Sequence, residues 1–480
     1  MNIKDLFFGI DFEQKGNEVD IKSIQTKASE EVVDGLFFCY KGAFFDGKEY
    51  VRQAIRSGAK VVVVENFLDI DICQIKVENV RKCISKVCGN FFKRPDKDLK
   101  IIGISGTNGK TTSSYIIKNI LKCAGKKVGV IGTNAVYIGE VFYKATLTTP
   151  DPYELFSIFD KMKKAGVEYV VMEVSAHALD LYKVWGIEFE VGLFTNFTRD
   201  HLDYFGSMEK YKNAKQSFYN NNYCKKCIFN IDDSVGREFF DKCNVERMSY
   251  GLINPSDLFA INLKLSIEGS RFVVNVNDEV LMIETSMVGK FNVYNIMGAI
   301  GVCYMLNISA DQIIAGAYTM PEVEGRFNLY KVEDKNVIID FAHTPDGIEN
   351  VLRTAKSLTK GDIVSVFGCG GNRDSGKRAE MGKIATKYSN KVFLTSDNPR
   401  FEDPYKIIED IKVGAKDAIV IENRTEAIIT AITTSAKGST ILVLGKGAED
   451  YQEINGIKHP YSDKKVVQDF AISQKHKNKR

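Results

Sequence analysis

The chain is 480 residues long and 44% hydrophobic, with 65 Lys and Arg against 62 Asp and Glu for a net charge of +3. Length alone predicts about three domains of roughly 150 residues each, and the composition is that of ordinary soluble globular material. A pI near 8.1 gives no argument for a nucleic-acid partner, and a chain this long needs no disulfide scaffold, so its ten scattered cysteines point to a reducing cytosol.

The amino terminus, Met1-Asn-Ile-Lys-Asp-Leu-Phe-Phe8, lacks the form of a signal peptide, and the longest apolar run, Ile296 to Leu306, is too short to span a bilayer. The reading is a cytoplasmic protein with no membrane partner. Residues 1–97 form a first block, with strands at Gly35–Tyr40 and Lys60–Glu65 and a helix at Tyr50–Ser57 between them. The polar stretch Lys93–Lys100 reads as a linker.

The second block, 98–328, opens on Ile101-Ile-Gly-Ile-Ser-Gly-Thr-Asn-Gly-Lys-Thr-Thr112, a buried strand, a glycine-rich turn and a helix start. Backbone N–H groups of Gly106, Thr107, Asn108 and Gly109, with the helix N-terminus, suit phosphate oxygens. Lys110 would reach the β- and γ-phosphates, and the Thr111 hydroxyl, followed by Thr112, would meet Mg²⁺. The strict pattern wants glycine at 104; Ile104 stands there, so the loop is a variant. Its helix should stop near Gly125, and Val128–Ile131 is the next strand. Asp151 reads as an N-cap with Pro152 at N1, and Lys161, Lys163 and Lys164 complement the helix end before Gly166. Tyr169–Glu173 is another buried strand, and this rhythm implies a parallel sheet covered by helices. Cys224-Lys-Lys-Cys227 has no second pair to complete a zinc site and reads as structural thiols.

In the third block, 329–480, strands at Asn336–Asp340, Asp362–Phe367, Lys391–Thr395, Ala418–Ile421 and Thr440–Leu444 alternate with helical patterns, predicting a second doubly wound α/β domain. The basic tail Lys475–Arg480 reads as a frayed end. Polar motifs fall at the carboxyl ends of the strands, where such sheets bind ligands: Gly106–Lys110, Glu173–His177, Thr195–His201, Asp340–His343, Gly368–Asp374, Asp397–Arg400 and Gly445–Glu449. Glu173 emerges at a strand tip, where a carboxylate would hold Mg²⁺ against a nucleotide. On the residues alone, Lys215 is an ordinary helical lysine.

Taken in order, Gly106-Thr-Asn-Gly-Lys-Thr-Thr112, Thr148-Thr-Pro150, Glu173-Val-Ser-Ala-His-Ala-Leu179, Thr198-Arg-Asp-His-Leu-Asp-Tyr204, Gly325-Arg-Phe327 and Asp340-Phe-Ala-His-Thr-Pro-Asp346 resemble the Mur ligase family over nearly the whole chain. The likeness is strongest to the branch that adds the third peptide residue in peptidoglycan synthesis. It implies a UDP-binding N-terminal domain, a central P-loop-type ATPase domain and a Rossmann-like C-terminal domain, acting as a monomer with ATP and Mg²⁺. It also implies roles. Lys110 and Thr111 hold phosphates and Mg²⁺; Glu173 and His201 are metal residues; Lys215 is carbamylated, which turns a cation into a carboxylate able to hold a second Mg²⁺. Asn292 and Asn295 lie on the adenine side, Arg326 reaches the phosphates, and Asp340 lies on the ribose side. Thr148, Thr149 and Ser175 hold UDP-N-acetylmuramoyl-L-alanyl-D-glutamate.

Ser396-Asp397-Asn398-Pro399-Arg400 matches the form of the motif that goes with meso-2,6-diaminopimelate as the added residue. Arg400 can grip its extra carboxylate bidentately, Arg373 offers a second guanidinium, and Glu449, after Gly445, can take the distal ammonium. Departures from the family pattern are Leu181 and Lys183 for the usual Gln and Arg, Asn372 for Asp, Ala448 for His, and Gln25-Thr26-Lys27 for Asp-Ser-Arg, where Thr26 keeps a hydroxyl. Lys183 keeps the charge but loses the fork. L-lysine or another acceptor, and a divergent paralogue, stay open as alternatives. A dinucleotide oxidoreductase built on Phe367-Gly-Cys-Gly-Gly-Asn-Arg373 would need a third glycine where Arg373 stands.

Overall fold

The computed structural model describes residues 1–42 and 45–477, which build three large sheets and a two-stranded ribbon. Nearest the amino terminus is a five-stranded sheet in the spatial order Glu13–Lys15, Cys73–Lys76, Ala59–Val64, Gly35–Phe38, Ser23–Gln25. Every pair is parallel except the first. Val61, Val62, Val63 and Val64 are all buried, the continuous apolar run of a strand covered on both faces. The expected linker is a 3-10 turn, Pro95–Asp98, packed on the helix Pro152–Lys164. Its polarity serves contacts within the protein: Arg94 pairs with buried Asp96 at 2.6 Å and donates to the Gly186 carbonyl at 2.7 Å.

The central sheet has eleven strands. Its core is parallel, in the order Glu246–Gly251, Cys224–Asn230, Phe189–Phe194, Lys100–Ser105, Tyr169–Glu173, Val128–Ile131. Later strands are added on both sides of Lys100–Ser105, so its carboxyl end is a switch point, where such sheets open a crevice. One edge continues as the antiparallel meander Leu258–Ser266, Gly269–Val276, Glu279–Thr285; the other adds Ala135–Ile138 and Val141–Lys144. The sequence reading has neither extension. Asn277 and Asp278, both at positive φ, form the tight turn that could have marked the meander. The long apolar run lies in the helix Lys290–Met305, buried nearly all round against the sheet and the helix Lys110–Cys123.

Several helix starts are capped locally: the side chains of Asn79, Ser207, Asp233 and Thr344 accept from first-turn N–H groups. The helix Pro152–Lys164 begins on proline as expected, but the Asp151 side chain makes no cap bond and pairs with Lys183 at 2.7 Å. The C-terminal sheet runs Asn328–Val332, Lys335–Asp340, Thr440–Leu444, Ile363–Phe367, Lys391–Leu394, Ile419–Val420, all parallel after the first pair. Separate apolar clusters cover its two faces, one around Ile338 and Leu442 and one around Ile339 and Val443, the doubly wound arrangement. The ribbon Tyr451–Ile454 with Ile457–Pro460 is additional. The last helix, Asp463–Lys477, takes up the start of the basic tail; residues 478–480 lie outside the described residues.

Arg424 fastens this helix to the sheet. Fully buried, it donates to both oxygens of buried Asp463 (2.8 and 2.7 Å) and to the Leu444 carbonyl at 2.9 Å. Burial opposes its charge, and Asp463 more than offsets that. Asp463→Ala removes both carboxylate acceptors of the buried guanidinium, leaving only Asp397 at 3.9 Å as counter-charge, and is expected to cost about 3–5 kcal/mol, read from the urea midpoint of the transition that reports the C-terminal sheet.

Candidate active site

At the switch point the strand Lys100–Ser105 ends in a turn that only glycine can make. Gly106 has φ +148 and a Cβ there would stand 1.9 Å from Thr195 Oγ1; Gly109 has φ +86, and its Cβ would meet Asn295 Oδ1 at 2.3 Å. The turn is tied down by Asn108 N–H to Asn196 Oδ1 at 2.9 Å and by the Thr107 hydroxyl beside Tyr211 OH at 3.1 Å. Lys110 opens the following helix, so its first turn of N–H groups faces the cleft. Lys110 Nζ donates to the carbonyls of Gly106 (2.9 Å) and Thr107 (2.8 Å). Lys215 Nζ donates to the same Gly106 carbonyl at 2.7 Å and is 1% exposed. Burial, then the neighbouring Lys110 charge, pushes the Lys215 ammonium well below its ordinary pKa, so it tends to the free amine.

Opposite the turn, Glu173 ends its strand. Oε1 accepts from the Thr111 hydroxyl (2.8 Å) and the Thr133 N–H (3.0 Å), and Oε2 accepts from the Thr133 hydroxyl at 3.1 Å. Arg326 Nη2 donates to Thr111 Oγ1 at 3.2 Å, with its guanidinium over the Phe341 ring. Among the described residues, no three His, Cys, Asp or Glu side chains form a preformed metal cage. Mg²⁺ needs none: it takes one or two oxygen ligands from protein and the rest from water and phosphate. The Thr111 hydroxyl against the Glu173 carboxylate fits that hard, all-oxygen requirement.

His201 sits in the left-handed region at φ +56. Its Nε2 is 3.4 Å from Asp200 Oδ2. Burial, with help from His177, Lys110 and Lys215, drives its pKa down to about 3 against the pull of Asp200, leaving a neutral imidazole. His343 is held by the Phe341 carbonyl at 2.9 Å, which puts its proton on Nδ1; burial and Lys377 bring its pKa to about 4. For Asp200, burial pushes the carboxyl up, but His201, Lys377 and His343 outweigh it and hold the group well below the carboxylate range. Asp340 uses both oxygens to accept from the N–H groups of Phe327 (2.8 Å) and Ala342 (2.7 Å), fixing the loop that carries Arg326.

One cleft of about 910 Å³ gathers Gly106–Thr112, Thr148, Thr149, Glu173, Ser175, Lys183, His201, Lys215, Asn295, Arg326, Asp340 and Arg373. Thr149 Oγ1 donates to the Glu173 carbonyl and accepts from Ser175 N–H, and Ser175 caps its short helix. Asn292 lies just behind the wall, accepting from Asn295 at 3.1 Å. Thr26 is elsewhere, in the five-stranded sheet region, bonded to Glu30. Asp397, Asn398, Pro399, Arg400, Gly445 and Glu449 form a separate cluster in the C-terminal sheet. There Arg400 donates to Glu453 (3.2 Å) and the Gly371 carbonyl (2.7 Å) through Nε and Nη1. Glu449 Oε2 accepts from Asn398 (2.8 Å) and Lys446 (2.9 Å). Gly445 must lack a side chain, since a Cβ would stand 2.8 Å from Asp397 Oδ2.

Sequence reasoning passed over Thr133, Asp200, Lys377 and Lys446. Lys446 is buried completely at the end of a predicted strand, and Asp200 adjoins His201, so both had a positional signal. Thr133 and Lys377 had none, because their partners are distant in the chain.

A switch-point phosphate turn with a hydroxyl–carboxylate pair defines a nucleotide-handling α/β enzyme, and comparison with known proteins gives the class as a ligase. Residues 104–303 match the model of the Mur ligase middle domain, and residues 325–447 that of the Mur ligase, glutamate ligase domain. The chain belongs to the Mur ligase family. It is 42% identical to UDP-N-acetylmuramoyl-L-alanyl-D-glutamate--2,6-diaminopimelate ligase of Clostridium perfringens, over 98% of this chain and 99% of the relative. A solved structure of a UDP-N-acetylmuramoyl-L-alanyl-D-glutamate--2,6-diaminopimelate ligase superposes with a TM-score of 0.68 at 27% identity, covering 95% of each chain. The MurF ligase from Thermotoga maritima in complex with ADP shares the fold, with a TM-score of 0.63 at 16% identity over 95% of this chain and 98% of that one.

Proposed function

We propose that this chain is an ATP-dependent amide ligase that joins meso-2,6-diaminopimelate to UDP-N-acetylmuramoyl-L-alanyl-D-glutamate in peptidoglycan precursor synthesis. It acts as a cytoplasmic monomer whose N-terminal (1–97), central (98–328) and C-terminal (329–480) domains meet the UDP substrate, ATP and the amino acid respectively. No described helix is long and apolar enough to cross a membrane.

The convergence of Lys110, Thr111, Glu173, His201, Lys215 and Arg326 on one cleft carries the reading. The D-glutamyl carboxylate oxygen attacks the γ-phosphorus of ATP, and ADP leaves. The diaminopimelate amine then attacks the acyl phosphate carbonyl, sheds a proton, and the tetrahedral intermediate expels phosphate. Little of this needs a protein nucleophile; positioning and charge neutralisation do most of the work. Lys110 and Arg326 offset the phosphate charge, and the loop N–H groups of Gly106–Gly109 orient the phosphates. Thr111 and Glu173 would hold one Mg²⁺, and His201 and carbamylated Lys215 would serve a second; bound there, the two ions would supply further neutralisation. Asn292 and Asn295 bound the adenine side, and Asp340 serves the ribose side as well as the Arg326 loop. Thr26, Thr148, Thr149, Ser175 and Lys183 contact the UDP-muramoyl-dipeptide. Lys183 does so as a single charge shared with Asp151.

The test is phosphate release by the full chain with ATP, Mg²⁺ and UDP-muramoyl-dipeptide. Meso-diaminopimelate should support release at a kcat/KM at least about a hundredfold above that of L-lysine, because a site built for a carboxylate rejects an analogue lacking it. Equal use of lysine overturns the acceptor, and release with neither amino acid overturns the ligase reading.

A further inference from the structure

Two short segments from different sheets meet beside His201 with their charges crossed. Thr198–Asp203 follows the central strand Phe189–Phe194, and Arg373–Lys377 follows the C-terminal strand Ile363–Phe367. Arg199 grips Asp374 through Nε (2.9 Å) and Nη2 (3.2 Å). Lys377 Nζ lies 3.6 Å from Asp200 Oδ1, and Arg373 Nη1 lies 3.7 Å from Asp203 Oδ2. Because each segment carries both signs, only one register avoids like charges, which is how charge complementarity fixes a docking geometry. The Arg199 guanidinium lies close over Gly376, where a Cβ would stand 2.3 Å from Nη2 and the arginine tip would have to shift to make room.

Lys377 reaches furthest in. Its side chain is 7% exposed, and its acidic partner Asp200 is 10% exposed. Asp200 Oδ1 also accepts from the His201 backbone N–H at 2.9 Å. The other oxygen, Oδ2, faces the His201 ring at 3.4 Å and the His343 ring at 3.8 Å. A carboxylate held behind an imidazole fixes the ring's orientation. We propose that Lys377 is a positioning residue: brought in on the C-terminal segment, it locks the Asp200 carboxylate and through it His201. The nucleotide cleft is therefore complete only while the segment bearing Arg373 is docked. The catalytic meaning of His201 rests on the ligase reading; the lock itself does not.

The test uses Lys377→Met and Lys377→Arg in the full chain, with steady-state kinetics, amide hydrogen exchange over 198–205 without substrates, and thermal melting. Lys377→Met should lower kcat about 10–100-fold, the usual effect of losing a partner behind a ligand, with KM for ATP within about threefold of the parent. Lys377→Arg should regain most of that loss. Exchange over 198–205 should speed up about tenfold or more in Lys377→Met, as a local opening freed of its tie. Arg199→Asp and Asp374→Arg should each speed it as well, and the double exchange of charges should restore the parent pattern. The proposal falls if Lys377→Met keeps kcat within about twofold, or leaves exchange over 198–205 unchanged. It also falls if Lys377→Arg is as poor as Lys377→Met with the same drop in melting temperature, which marks a merely structural role. Exchange needs no substrate, so it still reads the lock if the acceptor is not diaminopimelate; failure of the ligase reading appears instead as no turnover in the unsubstituted chain.

Discussion

Lys215→Ala is expected to lower kcat by at least about 10²–10³-fold, the loss seen when one preorganised charge-stabilising group is removed. The reasoning starts from one carbonyl. Gly106 O accepts from both Lys110 Nζ (2.9 Å) and Lys215 Nζ (2.7 Å), in a site where Lys215 is 1% exposed. Two ammonium groups cannot share one buried acceptor without strong repulsion, and the pKa of Lys215 falls well below the ordinary lysine value. A free amine at neutral pH adds to CO₂, giving a carbamate and releasing a proton. Such a step would put a carboxylate near Lys110 in place of a lysine whose charged form burial and Lys110 disfavour. The sign with pH follows: because carbamylation releases a proton, acid returns the amine, so activity in CO₂-depleted buffer should fall as pH drops and recover on adding bicarbonate. Lys215→Gln separates folding from chemistry, since it keeps bulk and a donor for Gly106 O. It should melt near the parent temperature yet stay inactive. An intact mass without added CO₂ in a fully active, CO₂-depleted enzyme would sink the carbamate.

The parallel strands were legible because each is a short buried apolar run ending in polar residues, so strand and motif report on one another. That signal fails where burial is tertiary. The helix Met208–Gln216 is polar on average, and Lys215 becomes special only because that helix is pressed against the Gly106 turn. Residue resemblance, not periodicity, singled it out. Asp151 shows the opposite case: the sequence located the helix start, but Lys183 competed for the carboxylate, and a side chain brought in by the fold displaced the local cap. Lys377 and Asp200 lie in segments that follow strands of different sheets, and no local pattern links residues so far apart in the chain. The antiparallel edges were missed for a different reason. Strands such as Gly269–Val276 alternate buried and exposed residues, a weaker signal than a continuous apolar run, and only the Asn277-Asp278 turn announces them.

Arg400→Ala is expected to raise KM for meso-diaminopimelate by about 30–5,000-fold, equivalent to the 2–5 kcal/mol lost when one partner of a hydrogen-bonded charge pair is truncated. Arg400 is poised rather than free. It sits at φ +53, its backbone N–H donates to the Glu453 carbonyl at 3.0 Å, and Asn455 N–H donates to its carbonyl at 2.7 Å. Glu453 and the Gly371 carbonyl take Nε and Nη1, which fixes the plane of the guanidinium and directs its remaining edge. A guanidinium already ordered loses little rotamer entropy on gripping a carboxylate, so its discrimination is sharp. Arg400→Lys should recover little, because an ammonium cannot reproduce the fork. The nucleotide turn is in another sheet, so ATP affinity should stay within about twofold, the behaviour of independent sites. L-lysine, which lacks the second carboxylate, should lose nothing further in Arg400→Ala. The diaminopimelate preference should therefore shrink through diaminopimelate alone. An unchanged kcat/KM for diaminopimelate would remove Arg400 from the acceptor pocket. An equal fall for lysine and diaminopimelate would show that Arg400 merely supports the ribbon through Glu453.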